Sequence, residues 1–168
     1  MDAILTFLEN IFGTSYVGRC AVAFVVSMLP VVELRGGIPI GAALGLPPLM
    51  CAITAVVGNL LPIPFVILFT RRVFAWMRSK SPRLSRYADS FEARVTAKGE
   101  RLYIGKIIGL IIFVSIPLPG TGAWTGGMIA ALLNIRMRNS MFAISAGVII
   151  AAVIVSGISF GFKYLFFG

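Results

Sequence analysis

The sequence contains no histidine, only two cysteines and only six acidic residues among 168. Each shortage removes a class of chemistry. Without histidine there is no Ser-His or Cys-His nucleophile pair, and most zinc chemistry goes with it. Cys20 and Cys51 lie far apart, each inside an apolar run and with no metal-ligand spacing. They read as small buried hydrophobes, and neither a metal nor any other cofactor is expected. Charged residues make up 12% of the chain and hydrophobic ones 58%. A soluble domain carries about a quarter charged residues, so with a mean hydropathy of +0.97 most of this chain is expected to have lipid as its solvent. The few acids leave a net charge of +9. A basic chain often binds nucleic acid, but base-stacking and groove-reading modules are missing here, and the charge is concentrated in one linker. The start of the chain does not read as a signal peptide: it carries Asp2 in place of a basic region, and Glu9 breaks the apolar run.

What is present is a series of apolar segments, several too short to cross a bilayer. Met1 to Tyr16 is amphipathic, with Ile4, Leu5, Leu8, Ile11 and Phe12 at helical spacing, and is expected to lie at the membrane interface. Ala21 to Leu29 covers about nine residues where a span needs about 20. Pro30 to Pro39 follows, where two prolines and Gly36-Gly37 predict an irregular break. Ile40 to Leu46 forms a second short run, so the pair predicts a re-entrant hairpin. Leu49 to Phe69 is long enough to span, with Asn59 and Pro62/Pro64 interrupting it without ending it. Arg71 to Lys106 holds ten Lys and Arg against Asp89, Glu92 and Glu100, which places it in the cytoplasm by the positive-inside rule. An amphipathic helix is expected from Ser85 onward. Ile107 to Ile116, a Gly- and Pro-rich break from Pro117 to Gly127, and Met128 to Ile135 predict a second hairpin. Asn139-Ser140 offers an N-cap for a final span, Met141 to Phe160.

The halves match. Val26-Ser27-Met28-Leu29-Pro30 resembles Val114-Ser115-Ile116-Pro117-Leu118-Pro119, Gly36-Gly37 recurs as Gly126-Gly127, and Ala42-Ala43-Leu44 as Ala130-Ala131-Leu132, at offsets of 88 to 90. The expected fold is therefore one all-α integral membrane domain over residues 1–168. Repeat 1 covers about 1–70, the basic linker about 71–106 and repeat 2 about 89–168. Two full transmembrane spans and two re-entrant helical hairpins form an inverted repeat, flanked by interfacial amphipathic helices. With one crossing per half the hairpins dip from opposite faces, an arrangement used by transporters. The inner (cytoplasmic) membrane is the expected location.

Glu33 and Arg35 are the strongest candidates for a site, because an ionisable group at bilayer depth is costly unless paired or wetted. Both a substrate or ion path, with Glu33 as the proton-coupling group, and a structural ion pair fit them. The second break adds Gly120, Thr121, Gly122, Trp124, Thr125 and Gly126, whose amides and hydroxyls suit a polar headgroup, though these glycines also suit a plain turn. Gly36 and Gly37 complete the first break. Asn59, in mid-span, suits either a ligand or a neighbouring helix. Gly157-x-x-x-Gly161 and Gly41-x-x-x-Gly45 are small-residue faces for helix contact, and a homodimer is expected to shield so thin a bundle.

Glu33-Leu-Arg-Gly-Gly-Ile-Pro-Ile-Gly41 and Pro117-Leu-Pro-Gly-Thr-Gly-Ala-Trp-Thr-Gly126 resemble the small multi-drug export protein family over nearly the whole chain. That family looks like a distant relative of the DedA/VTT group. The resemblance implies two facing hairpins and movement of polyprenyl-phosphate or other lipids between leaflets with proton coupling, or, from the family name, drug export. DedA proteins carry acidic and Arg residues at both breaks, which Glu33 and Arg35 match in the first. The second break here has no charged residue, only Thr121, Trp124 and Thr125. The expected class is a transporter of an anionic amphiphile such as undecaprenyl phosphate, with small-molecule or multidrug export as the alternative. A lipid-phosphate enzyme, disfavoured by the lack of histidine, and an assembly factor without cargo are the remaining classes.

Overall fold

A computed structural model describes residues 15–80, 90, 103–118 and 120–167. The interfacial helix expected over Met1 to Tyr16 and the amphipathic helix from Ser85 fall almost wholly outside these residues, as does Pro119. Within them run α1 (Tyr16–Met28), α2 (Glu33–Ala43), α3 (Pro48–Leu60), α4 (Ile63–Lys80), α5 (Tyr103–Ser115), α6 (Ala123–Leu132) and α7 (Met137–Phe167).

Ser15 starts α1 by accepting the Gly18 amide on its hydroxyl at 3.1 Å. Where the sequence predicts a break from Pro30 to Pro39, the structure breaks only at Leu29–Val32. It begins α2 at Glu33 and keeps Pro39 inside the helix. Pro39 forfeits one bond, to the carbonyl of Arg35 four residues back, whereas an irregular stretch at membrane depth would strand several backbone groups. Gly36-Gly37 thus makes no turn. A Cβ at Gly37 would stand 2.9 Å from the Ala23 carbonyl, and one at Gly41 would stand 3.4 Å from the Ala23 Cβ, so α2 folds back antiparallel along α1 with glycine at the tightest contact. Arg19 at the start of α1 reaches to 3.6 Å from where Gly45 would carry a Cβ, which puts both ends of this hairpin together.

The second break likewise spans only 116–122, because α6 starts at Ala123 and takes Gly126 and Gly127 into a helix. Leu61 keeps helical dihedrals (φ −57, ψ −44) between α3 and α4, so Pro48–Met77 is one apolar stretch of 30 residues. The helix continues to Lys80 and absorbs the start of the expected linker. The last helix begins at Met137, earlier than expected. Ser140 is consequently not its cap but lies inside the first turn, with its hydroxyl donating to the Ile135 and Arg136 carbonyls at 3.2 Å each.

Lengths and faces point to lipid. Pro48–Met77 and Met137–Gly161 are long and apolar enough to cross a membrane. α1, α2, α5 and α6, with 13, 11, 13 and 10 residues, reach only about 15 to 20 Å against a hydrocarbon core of about 30 Å. Leu49, Ile53, Val57, Leu61, Phe65 and Phe69 form a continuous exposed stripe along α3–α4, and Ile149, Val153, Ile154 and Ile158 another on α7. In water such stripes would drive aggregation. The core lies between them, where Leu34 and Ile38 of α2, Ile63 and Ile67 of α4, and Ile144 and Val148 of α7 are buried in one cluster.

The two halves repeat local devices 88 or 89 residues apart. Ser27 donates to the Ala23 carbonyl, as Ser115 does to that of Ile111. α2 ends with Gly45 bonding Ala42 and Leu46 bonding Gly41. α6 ends with Asn134 bonding Ala131 and Ile135 bonding Ala130. Each is a Schellman closure around a left-handed residue, Gly45 at φ 80 and Asn134 at φ 50. Cys51 and Ser140 then each donate to the carbonyl five residues back, those of Leu46 and Ile135. The register here is 89, so Leu44 matches Leu133, and Gly37 rather than Gly36 matches Gly126. Contacts follow the same pattern: α1, α2 and α3 pack on one another as α5, α6 and α7 do, while α2 also packs on α7 and α6 on α4.

Candidate functional site at the junction of the two halves

Glu33 opens α2 and Gly122 precedes α6, 89 residues later. Both have positive φ, 51 for Glu33 and 139 for Gly122. For Glu33 that left-handed conformation costs about 1 to 2 kcal/mol, and it aims the side chain across the junction. Its carboxylate, on a residue only 4% exposed, accepts the Trp124 amide at 3.2 Å. Gly122, the N-cap of α6, offers no side chain of its own to do this. A Cβ there would stand 2.7 Å from the Glu33 carboxyl carbon and 2.8 Å from Oε1. Gly122 is thus a cradle for the acid, which caps the positive end of a helix belonging to the other half.

Arg35, one residue beyond Leu34 in the first turn of α2, serves the opposite end of the same break. It donates to the carbonyls of Leu118, Ile116 and Thr121, the latter two at 3.2 and 2.5 Å, and to the Thr121 hydroxyl at 2.9 Å. These carbonyls belong to the break that follows α5; those of Ile116 and Leu118 also accept the Leu118 and Thr121 amides, and the guanidinium fork gathers all three onto one side chain. Glu33 and Arg35 are not joined to each other by a salt bridge among the described residues. Instead each charge meets the complementary dipole end of the second hairpin.

The junction therefore brings together Glu33, Arg35, Thr121, Gly122 and Trp124. Trp124 takes part through its amide, while its indole Nε1 is buried without a partner. Thr125 follows it in the first turn of α6, half-buried. Gly120, at φ 87, faces open space. Gly36, Gly37 and Gly126 sit apart from the charges, packed against Val26, Ala23 and Leu110 respectively. Asn59, fully buried on α3, has both amide atoms unpaired and no hydrogen bond to the junction. The backbone carbonyls of Ile116 and Leu118 were not legible as site groups, since nothing in their side chains marks them. Gly122 was legible in a different sense: the repeat offset carries Glu33 onto it.

All-helical architecture, two membrane-length helices with lipid-type outer faces, and a buried carboxylate where short helices meet define a multi-pass membrane protein. The model of the family described as "putative small multi-drug export protein" matches residues 33–154, beginning at Glu33 itself. The chain belongs to that family, which points to export rather than to catalysis. No curated protein and no solved structure matches it.

Proposed function

We propose that the chain is a transporter exporting small amphiphilic molecules, cationic or rich in hydrogen-bond donors, with Glu33 as the group that meets them. The observation that carries this is the division of labour at the junction. Arg35 already donates to three carbonyls and a hydroxyl, which leaves it little to offer an anion. The Glu33 carboxylate has about four acceptor positions, and the backbone amides of Trp124 and Ala123 use two of them. The spare capacity at the junction is acceptor capacity, and the family description speaks for drug export.

In this reading α1–α2 and α5–α6 are re-entrant hairpins dipping from opposite faces, and the two halves are inverted repeats about an axis passing near Glu33 and Gly122. The repeated closures and the reciprocal packing of α2 on α7 and α6 on α4 support it. Because Glu33 and Arg35 hold one half to the other, rocking of the halves must strain or release this contact, which couples occupancy at Glu33 to access. A proton on Glu33 would compete with a cationic substrate, giving exchange of one for the other. The basic linker faces the cytoplasm and the chain sits in the inner membrane. A homodimer pairs the open faces around Gly157 and Gly161, where a Cβ would meet nothing within 4 Å.

The test is efflux of a cationic dye from proteoliposomes under an imposed proton gradient. Glu33→Gln, which keeps an acceptor for the Trp124 amide, is expected to fold and to lose efflux. Efflux at the parent rate would sink the proposal. A second reading, leaflet exchange of an anionic lipid such as a polyprenyl phosphate by a DedA-like mechanism, draws on the Arg35–Thr121 pairing at 2.9 Å. Faster exchange of that lipid than of dye by the parent protein would move it ahead.

A further inference from the structure

A second polar feature lies away from the junction, at the end of the bundle where α4 leaves the membrane and α7 enters it. A cavity of about 210 Å³ opens between α4 and the end of α6, lined by Thr70, Arg71, Phe74, Ala75, Leu132 and Asn134 and floored by Ala131. Arg71 gives one Nη2 proton to the Ile135 carbonyl, which orients the guanidinium. Its Nε is buried with no hydrogen-bond partner. A buried N–H of a guanidinium without an acceptor is costly, and no acid lines the cavity. Glu33 is the only acid among the described residues.

We infer that this cavity is a binding site for a phosphate-bearing anion. Three features fit that chemistry. The Nη protons of Arg71 that are not given to Ile135 offer a charged donor pair to phosphate oxygens in the cavity. The Thr70 hydroxyl and Asn134 amide bring further donors to the lining. Phe74 and Leu132 give it an apolar side, as a headgroup site with an attached acyl chain requires. An anion beside a helix C-terminus would ordinarily be repelled. Here three of the last four carbonyls of α6 are already taken: Ile129 by the Leu133 amide, Ala130 by the Ile135 amide and Ala131 by the Asn134 amide; beyond the helix, the Ile135 carbonyl accepts from Arg71. Arg72, Arg136 and Arg138 flank the same end and add attraction for anionic lipid at the surface. A volume of about 210 Å³ is enough for a phosphate and not for a whole lipid, whose tail would leave along the exposed α4 face.

The source of the phosphate, a lipid headgroup or a free ion, is separated by two titrations of the full-length protein. Native mass spectrometry from mild detergent follows phosphatidylglycerol in one and inorganic phosphate in the other. The expected result is one tightly held adduct on the parent and on Arg72→Gln. In Arg71→Gln and in Ala75→Leu binding should weaken at least about tenfold, the loss expected when one charge-assisted pair goes. Ala75 is exposed, so its replacement fills the cavity without disturbing the core or the charge. Tighter binding of the lipid assigns the site to a headgroup, and equal or tighter binding of phosphate assigns it to a free anion; either supports the site. An equal loss in Arg72→Gln would show diffuse surface charge and overturn it, as would unchanged binding in Ala75→Leu. Because no transport is measured, failure here leaves the export reading standing, and the reverse also holds.

Discussion

At the scale of single residues, the chain concentrates its polar expense on very few side chains, and the neighbours of each say what replacement would do. Gly122 is the sharpest case. Alanine there would overlap the Glu33 carboxylate and would need a positive φ of 139, so Gly122→Ala is expected to lower stability by about 1 to 3 kcal/mol. Gly109 has open space around it within α5, and Gly109→Ala should be neutral or stabilising by up to about 1 kcal/mol. Thermal unfolding of both in the same detergent checks the contrast; equal effects would mean that the Glu33 cradle does not exist. Arg35 allows a graded comparison. Arg35→Ala takes the side-chain donor from the Thr121 carbonyl and unties α2 from the second break, at about 1 to 3 kcal/mol, whereas Arg35→Lys retains a donor for that carbonyl. The melting temperature should therefore fall in the order parent, Lys, Ala. Asn59 runs the other way. Its amide is buried and unpaired, so Asn59→Leu, similar in size, is expected to raise the melting temperature. An unchanged or lower value would indicate that water or a ligand satisfies the amide in the membrane.

At the scale of elements, the short helices owe their positions to how they end. α2 and α6 close with the same hydrogen bonds, but one uses glycine at the left-handed position and the other asparagine. Both residue types tolerate that conformation, with glycine the less strained. Asn134→Gly is expected to preserve or slightly raise stability, while Gly45→Val should cost about 1 to 2 kcal/mol; a melting series on the two variants decides it. Prolines and glycines signalled correctly that each half contains a break, but they overstated its length. Pro39, Gly36-Gly37 and Gly126-Gly127 all sit inside helices. A single-residue preference is worth about 1 to 3 kcal/mol, and in lipid the demand to satisfy every amide and carbonyl outweighs it. Gly37 and Gly126 instead allow close approach between helices, a role that spacing alone does not distinguish from a turn.

At the scale of the whole molecule, the arrangement makes a topological prediction. Both ends of the α1–α2 hairpin lie together, as the approach of Arg19 to Gly45 demonstrates. Arg71, bonded to Ile135, ties the end of α4 to the start of α7. With Cys20 and Cys51 replaced, a cysteine at position 45 should react with an impermeant maleimide from outside the cell, and one at position 138 only from the cytoplasm. Labelling of both from one side would rule out the opposed hairpins. Composition and periodicity were enough to establish a helical membrane protein, its two long apolar segments and the family motifs. The reason is that the scarcity of charge and the length of each apolar run are local properties that lipid reads directly. They also located Glu33, Arg35 and the second break as the polar points of the chain. Only the tertiary structure decided how these meet: that the carboxylate caps α6, that the guanidinium gathers the carbonyls of the second break, and that Gly122 must lack a side chain. Those roles arise between residues about 80 to 90 positions apart, through backbone amides and carbonyls that every residue type shares, and no local pattern in the chain encodes such a pairing.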